Sequence, residues 1–124
     1  MELDHLILDV NDAAESVAFY TSVLGFADEG RDGPFSVLRV TPRFTLQLAP
    51  RRTMGGEHLA FALTRPEFDA VLDRIRAAGV PFGDAFNTVG TGAGPGSESG
   101  ARGMGATIYF FDPNEHLLEI RTYD

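Results

Sequence analysis

The sequence predicts an α+β fold built from two βαβββ modules, and three observations carry that prediction. The run LDHLILDV near the N-terminus is echoed by EHLAFAL in the second half, and each sets a histidine behind an acidic residue at the head of an apolar alternation. Each run is followed by a stretch with helical spacing and a capping signal, and then by short strand-like segments. The separations also agree, since His58 follows His5 by 53 residues and Gly79 follows Gly25 by 54. Modules in such near register mark an internal repeat.

The elements follow in order. In the first strand Leu6 and Leu8 alternate with His5, Ile7 and Asp9, which gives two different faces. The helix NDAAESVAFYTSVLG starts at Asp12 with Glu15 at the capping-box distance, carries Ala13, Val17, Tyr20 and Leu24, and ends on Gly25. Strands are expected near Phe26 to Glu29, Phe35 to Val40 and Phe44 to Ala49, with turns at RDGP and TPR. The second module opens with Leu59, Phe61 and Leu63 on one face and His58, Ala60 and Ala62 on the other. Its helix has Thr64 as cap, Glu67 three positions on, Pro66 in the first turn, a stripe of Phe68, Val71, Leu72 and Ile75, and Gly79 as terminator. A strand near Val80 to Ala85, a glycine-rich loop over about 88–104, and the strands ATIYFF and HLLEIRT around the turn DPNE complete it. A loop of that length reads as a lid or a binding segment.

Length and composition bound the chemistry. The chain of 124 residues is one domain's worth, 1–124, with modules at about 1–50 and 56–124. No apolar run approaches the roughly 18 residues of a membrane span and no signal peptide is evident, so a soluble cytoplasmic protein with no membrane partner is expected. Cysteine is absent, which removes disulfides, thiolate metal sites and cysteine nucleophiles. All ten basic residues are arginine, which removes Schiff-base chemistry and the P-loop lysine. A net charge of −8, with RR at 51–52 as the only basic cluster, argues against nucleic acid as a partner. GTGAGPG leads into a strand and lacks a following lysine, so it is no phosphate cradle, and GSESG centres on glutamate, so it is no nucleophile elbow.

The chemistry-bearing residues fall on one side of the strands. If Leu6, Leu8, Leu59, Phe61, Leu118 and Ile120 pack under the helices, then His5, His58 and Glu119 face the other way, into one cup. A carboxylate between Leu118 and Ile120 needs a partner, and a metal shared with two imidazoles would serve. Two histidines and a carboxylate leave open coordination positions and suit Fe, Mn, Ni or Zn. His116, beside the DPNE turn and outside the repeat, reads as an ordinary surface residue.

The segments LDHLILDVNDAAESVAFYTSVLGF, EHLAFAL and IYFFDPNEHLLEIRTYD resemble the vicinal oxygen chelate superfamily, which holds glyoxalase I, fosfomycin-resistance thiol transferases, extradiol dioxygenases, methylmalonyl-CoA epimerase and bleomycin-resistance proteins. The resemblance covers essentially the whole chain. It implies paired βαβββ modules curling into an open U-shaped mixed sheet with helices outside, a divalent metal at its centre, a small-molecule substrate and a homodimer. The family's metal ligands map to His5, His58 and Glu119, with Glu119 also a proton acceptor. Tyr109 would hydrogen-bond a substrate oxygen, and Gln47 and Arg121 would contact substrate. The activity implied is that of a glyoxalase-like lyase or isomerase. Alternatives are an Fe(II)-dependent dioxygenase and a bleomycin-resistance-type binding dimer without catalysis. The chain departs from the family in three places: DPNE lacks the usual glycine, no second histidine of the extradiol type is present, and the lysine and potassium loop of the fosfomycin enzymes are missing.

Overall fold

The computed structural model describes residues 1–124. In order it contains β1 (His5–Val10), α1 (Ala13–Ser22), β2 (Ala27–Asp32), β3 (Phe35–Thr41), β4 (Phe44–Pro50), β5 (His58–Ala62), α2 (Arg65–Ala77), β6 (Phe82–Gly83), β7 (Gly96–Gly100), β8 (Gly103–Phe111) and β9 (Leu117–Thr122). These form two compact units, Met1–Gly55 and Gly56–Asp124. No helix is long and apolar enough to cross a membrane.

In the first unit the sheet order is β1-β4-β3-β2, with β1 parallel to β4 and the other pairs antiparallel. Register places Leu8 beside Leu48, Leu6 beside Leu46, and Leu46 beside Leu38. Leu8, Leu38, Leu46 and Leu48 are fully buried with Tyr20 of α1, and each such side chain contributes about 1.5–3 kcal/mol of transfer free energy. The helix starts where Asp12 accepts from the Glu15 amide at 3.0 Å. It closes around Gly25, which at φ +79 lets the Phe26 amide reach back to the Tyr20 carbonyl at 3.2 Å. The edge strand β2 reads ADEGRD and is exposed throughout, so its charges guard an open edge.

The second unit repeats the plan as β5-β9-β8-β6, with β5 parallel to β9. Its core is Phe68, Val71, Leu72 and Ile75 of α2 with Ile108, Phe110, Leu118 and Ile120 of the sheet. The capping box at Thr64 is complete, with the Glu67 amide donating to the threonine hydroxyl and the Thr64 amide donating to the Glu67 carboxylate at 3.2 Å.

Three expectations are corrected here. The strand expected over Val80–Ala85 is only two residues long, and much of the expected loop at 88–104 is the hairpin of β7 and β8. The two findings have one cause. Gly83 pairs with Tyr109 and Gly96 pairs with Thr107, so β6 and β7 run along the same edge of β8, and residues 84–95 stand where one residue opposite Ile108 would complete a continuous strand. The second module therefore keeps a fourth strand but breaks it. The third correction is His116, which is 1% exposed. The turn after β8 folds back on the start of β5, where the Leu117 amide donates to Glu57 at 2.8 Å and His116 Nδ1 accepts from the Glu57 amide at 3.3 Å.

The same turn shows how a glycine is replaced. Glu115 takes φ +68, a left-handed conformation that costs an L-residue with Cβ. Asp112 holds the turn in that shape, its Oδ1 accepting from the amides of Asn114 at 2.8 Å and His116 at 2.9 Å. Glu115→Gly removes the steric strain and returns some of it as unfolded-state entropy, so the net gain expected is about 0.5–1 kcal/mol. The urea midpoint should rise with an unchanged slope; a fall would show that the glutamate side chain itself stabilises the turn.

Candidate functional site

The side of each sheet turned away from the core carries the chemistry. In the second unit Ala60, Glu119 and Tyr109 lie in one cross-strand row, and Ala62, Arg121 and Thr107 lie in the next. Period-two alternation puts His58 on that face of β5. Its Nε2 comes within 3.3 Å of Glu119 Oε1. His58 is half exposed, whereas the Glu119 side chain is 5% exposed.

The other oxygen of Glu119 is committed elsewhere. Oε2 accepts from Arg121 Nη1 at 2.8 Å. The same guanidinium donates to three backbone carbonyls of the β7–β8 hairpin, those of Glu98 at 2.9 Å, Ser99 at 3.3 Å and Gly103 at 3.4 Å. Only its Nε lacks a partner. Two guanidinium groups lie over the Tyr123 ring, Arg121 at 4.7 Å and Arg102 at 4.3 Å from its centre. The hairpin lies so close that a Cβ at Gly100 would fall on the Arg121 guanidinium. Arg121, expected to contact substrate, instead pairs with a buried carboxylate, that of Glu119.

Tyr109 is 4% exposed, and its hydroxyl donates to Glu98 Oε2 at 2.6 Å. Its ring lies 5.9 Å from that of His58. Burial pushes the phenol well above the ordinary tyrosine range, and hydrogen bonding to the Glu98 and Glu119 carboxylates adds to the shift. Glu98 was not singled out from the sequence. Its signal was the alternation Gly-Ser-Glu-Ser-Gly, which puts one carboxylate between two glycines on one strand face.

The first unit holds the remaining residues. His5 pairs in register with Thr45, and Ile7 with Gln47, so His5 and Gln47 share a face of adjacent strands. His5 Nδ1 lies 2.7 Å from Asp4 Oδ2. A carboxylate behind the ring nitrogen that faces away from the site is the arrangement found around many metal-ligating histidines. Arg39, opposite Thr45 on β3, is gripped by both oxygens of Glu29 at 3.0–3.2 Å.

His58 and Glu119 fit a divalent cation. Ligand bonds of about 2.0–2.2 Å place neighbouring donors about 3 Å apart, and the nitrogen and oxygen here are 3.3 Å apart. Neither unit by itself gathers three histidine or acidic side chains into a metal-binding group.

A duplicated βαβββ fold with an imidazole and a carboxylate converging on the sheet defines a class of small α+β proteins. The chain belongs to the Glyoxalase/Bleomycin resistance protein/Dioxygenase superfamily, whose family model matches residues 2–120. It is similar to Virulence protein STM3117 of Salmonella typhimurium, at 30% identity over 98% of this chain and 83% of that one. Glutathione transferase FosA of Serratia marcescens is 26% identical over 95% of this chain and 78% of its own. The structure of the Oxidase ChaP-H2 superposes with a TM-score of 0.82 at 28% identity, covering 100% of this chain and 94% of that one.

Two outcomes are expected from this geometry. Gly100→Ala forces its methyl group against Arg121 and should destabilise the second unit by about 1–3 kcal/mol, read as a lowered Tm; an unchanged Tm would mean that the hairpin shifts freely. Because the folded state holds the Tyr109 proton more tightly than the unfolded chain, the stability this brings is complete below the ordinary value of about 10 and is lost as pH rises beyond it. Tyr109→Phe should therefore flatten the alkaline decline of ΔG, and an identical decline in both proteins would remove Tyr109 as its source.

Proposed function

We propose that this protein is a divalent-metal-dependent enzyme of the glyoxalase-like kind, a lyase or isomerase that holds a small substrate through two neighbouring oxygens, with His5, His58 and Glu119 as metal ligands. The observation that carries the reading is the approach of His58 Nε2 to Glu119 Oε1 at 3.3 Å on adjacent parallel strands. The Asp4 carboxylate behind His5 Nδ1, at 2.7 Å, supports it from the first unit. Membership of the superfamily supplies the expectation of a metal, whether Fe, Mn, Ni or Zn, and of a homodimer.

Each side chain has a part in this reading. A divalent cation bound by these ligands supplies Lewis-acid stabilisation of negative charge developing on a substrate oxygen. Glu119 offers one oxygen, because Arg121 holds the other, and that free oxygen can also accept a substrate proton. Tyr109 stays protonated at neutral pH and fixes the orientation of what lies beside it. Gln47 contacts substrate from the first unit. Arg121 acts chiefly by holding Glu119, since its Nη donors are taken by the protein.

Oxygen chemistry at Fe(II) is the second reading, favoured by the similarity to Oxidase ChaP-H2. Both readings meet the same test. Elemental analysis of protein purified without tag or chelator should find about one equivalent of metal per chain, lost in His58→Ala while the circular dichroism spectrum is kept. Iron would favour the oxidase branch, and Zn, Ni or Mn the lyase or isomerase branch. Absence of metal even after reconstitution would overturn both and leave a binding protein of the bleomycin-resistance type.

A further inference from the structure

The two faces that carry the candidate ligands share a second property. The alternation that sets His5 on one face of β1 sets Ile7 beside it on the same face, turned away from Leu6 and Leu8. Ile7 stands inside the strand and is nevertheless 43% exposed. In the second unit Phe111 lies in one cross-strand row with Leu117 and His58, and alternation along β8 puts it on the Tyr109 face. Phe111 is 38% exposed, whereas Phe110, turned the other way, is fully buried. Each unit by itself thus presents an accessible hydrocarbon side chain next to a histidine.

Single exposed apolar residues are ordinary on a protein surface. These two differ in their company, because the polar groups around them are already engaged within the protein. In the first unit Arg39, on the face that carries His5, is gripped by Glu29. In the second, Arg121 is held by Glu119 and by backbone carbonyls, the Tyr109 hydroxyl by Glu98, and the Thr107 hydroxyl by the Asp84 carbonyl at 3.3 Å. Gln47, between Ile7 and Val37 in one row, is the exception. A cation at the ligand positions recognises the oxygens of a substrate and nothing else in it. The rest of the molecule gains from leaving water for Ile7 and Phe111 only in so far as it is apolar.

We infer that Ile7 and Phe111 are specificity-determining residues that receive the apolar body of the substrate, a compound whose vicinal oxygens are borne on an aryl or alkyl framework rather than on a polar chain. The inference rests on the reading that the histidine-bearing faces are the substrate site.

Acetohydroxamate and benzohydroxamate test it, because they share one chelating pair of oxygens and differ only in a methyl or a phenyl body. Both are titrated calorimetrically into Zn(II)-reconstituted full-length protein. Burial of about 60 Å² of additional ring surface corresponds to about tenfold tighter binding of benzohydroxamate by the wild type. Ile7→Thr and Phe111→Thr keep a strand-favouring residue in place. Each should weaken benzohydroxamate by about threefold or more and leave acetohydroxamate within about twofold. Equal affinity of the wild type for the two probes would overturn the inference, as would a preference that both substitutions leave unchanged, an equal loss of both probes in the variants, or a failure of both on metal-loaded protein. Sedimentation of the variants reads the rival occupant, a second copy of this chain: a changed mass with the preference intact also overturns it. Metal content measured in the same samples keeps the two readings apart. If the wild type takes up no Zn(II), the metalloenzyme reading fails, and NMR of the metal-free protein decides the role of the two side chains. Ile7 methyl and Phe111 ring resonances that shift on addition of benzohydroxamate uphold the apolar contact, and unmoved resonances overturn it.

Discussion

The second unit is organised around one buried ion pair, Glu119 with Arg121, two residues apart on β9 and each about 5% exposed. Two charges withdrawn from water are tolerated only with good geometry and satisfied hydrogen-bonding groups, and removal of either partner from such a pair costs about 3–5 kcal/mol. Here the guanidinium meets that demand by collecting backbone carbonyls from β7 and from the start of β8. That requirement brings the hairpin down over the sheet and sets the need for a side-chain-free position at Gly100. It also lowers Glu98 onto Tyr109. The arrangement that frees one oxygen of Glu119 toward His58 is thus the same one that places a second carboxylate at the site.

The fold was legible because its signals were local and repeated. Both helix caps, both left-handed glycines at 25 and 79, and the alternation of apolar residues in β1 and β5 are written in adjacent residues and found again in the structure. What the sequence concealed depends on register. Nothing in FGDAFNTVGTGAGPGSESG shows that Phe82 and Ser97 lie along one strand edge, because the pairing partner is β8 and the break lies opposite a single residue. His116 was misread for a related reason: its burial comes from the turn folding against Glu57, a contact between residues 59 positions apart.

The site was legible in part. Alternation put His58 and Glu119 on one sheet face, and there they lie, with Tyr109 and Arg121, which the family resemblance supplied, on the same face; His5 and Gln47 share a face in the first unit. Alternation could not say what each side chain would touch. The pairing of Arg121 with Glu119 needs only the i, i+2 spacing and was within reach, whereas the three carbonyls it also binds and the Glu98 contact of Tyr109 come from a hairpin that had been taken for a loop.

The broken strand has a consequence for how such a protein can diverge. Twelve residues, 84–95, leave the edge of β8 and return to it in register on either side of Ile108. Each doubling of such a loop costs only about 0.6 kcal/mol in closure entropy, so length there is cheap to change. A longer or shorter excursion that rejoins at Gly96 would leave Glu98 above Tyr109 and the guanidinium beneath its carbonyls. The break is a graft point, at which the rim can be rewritten between descendants while the reactive face is inherited intact.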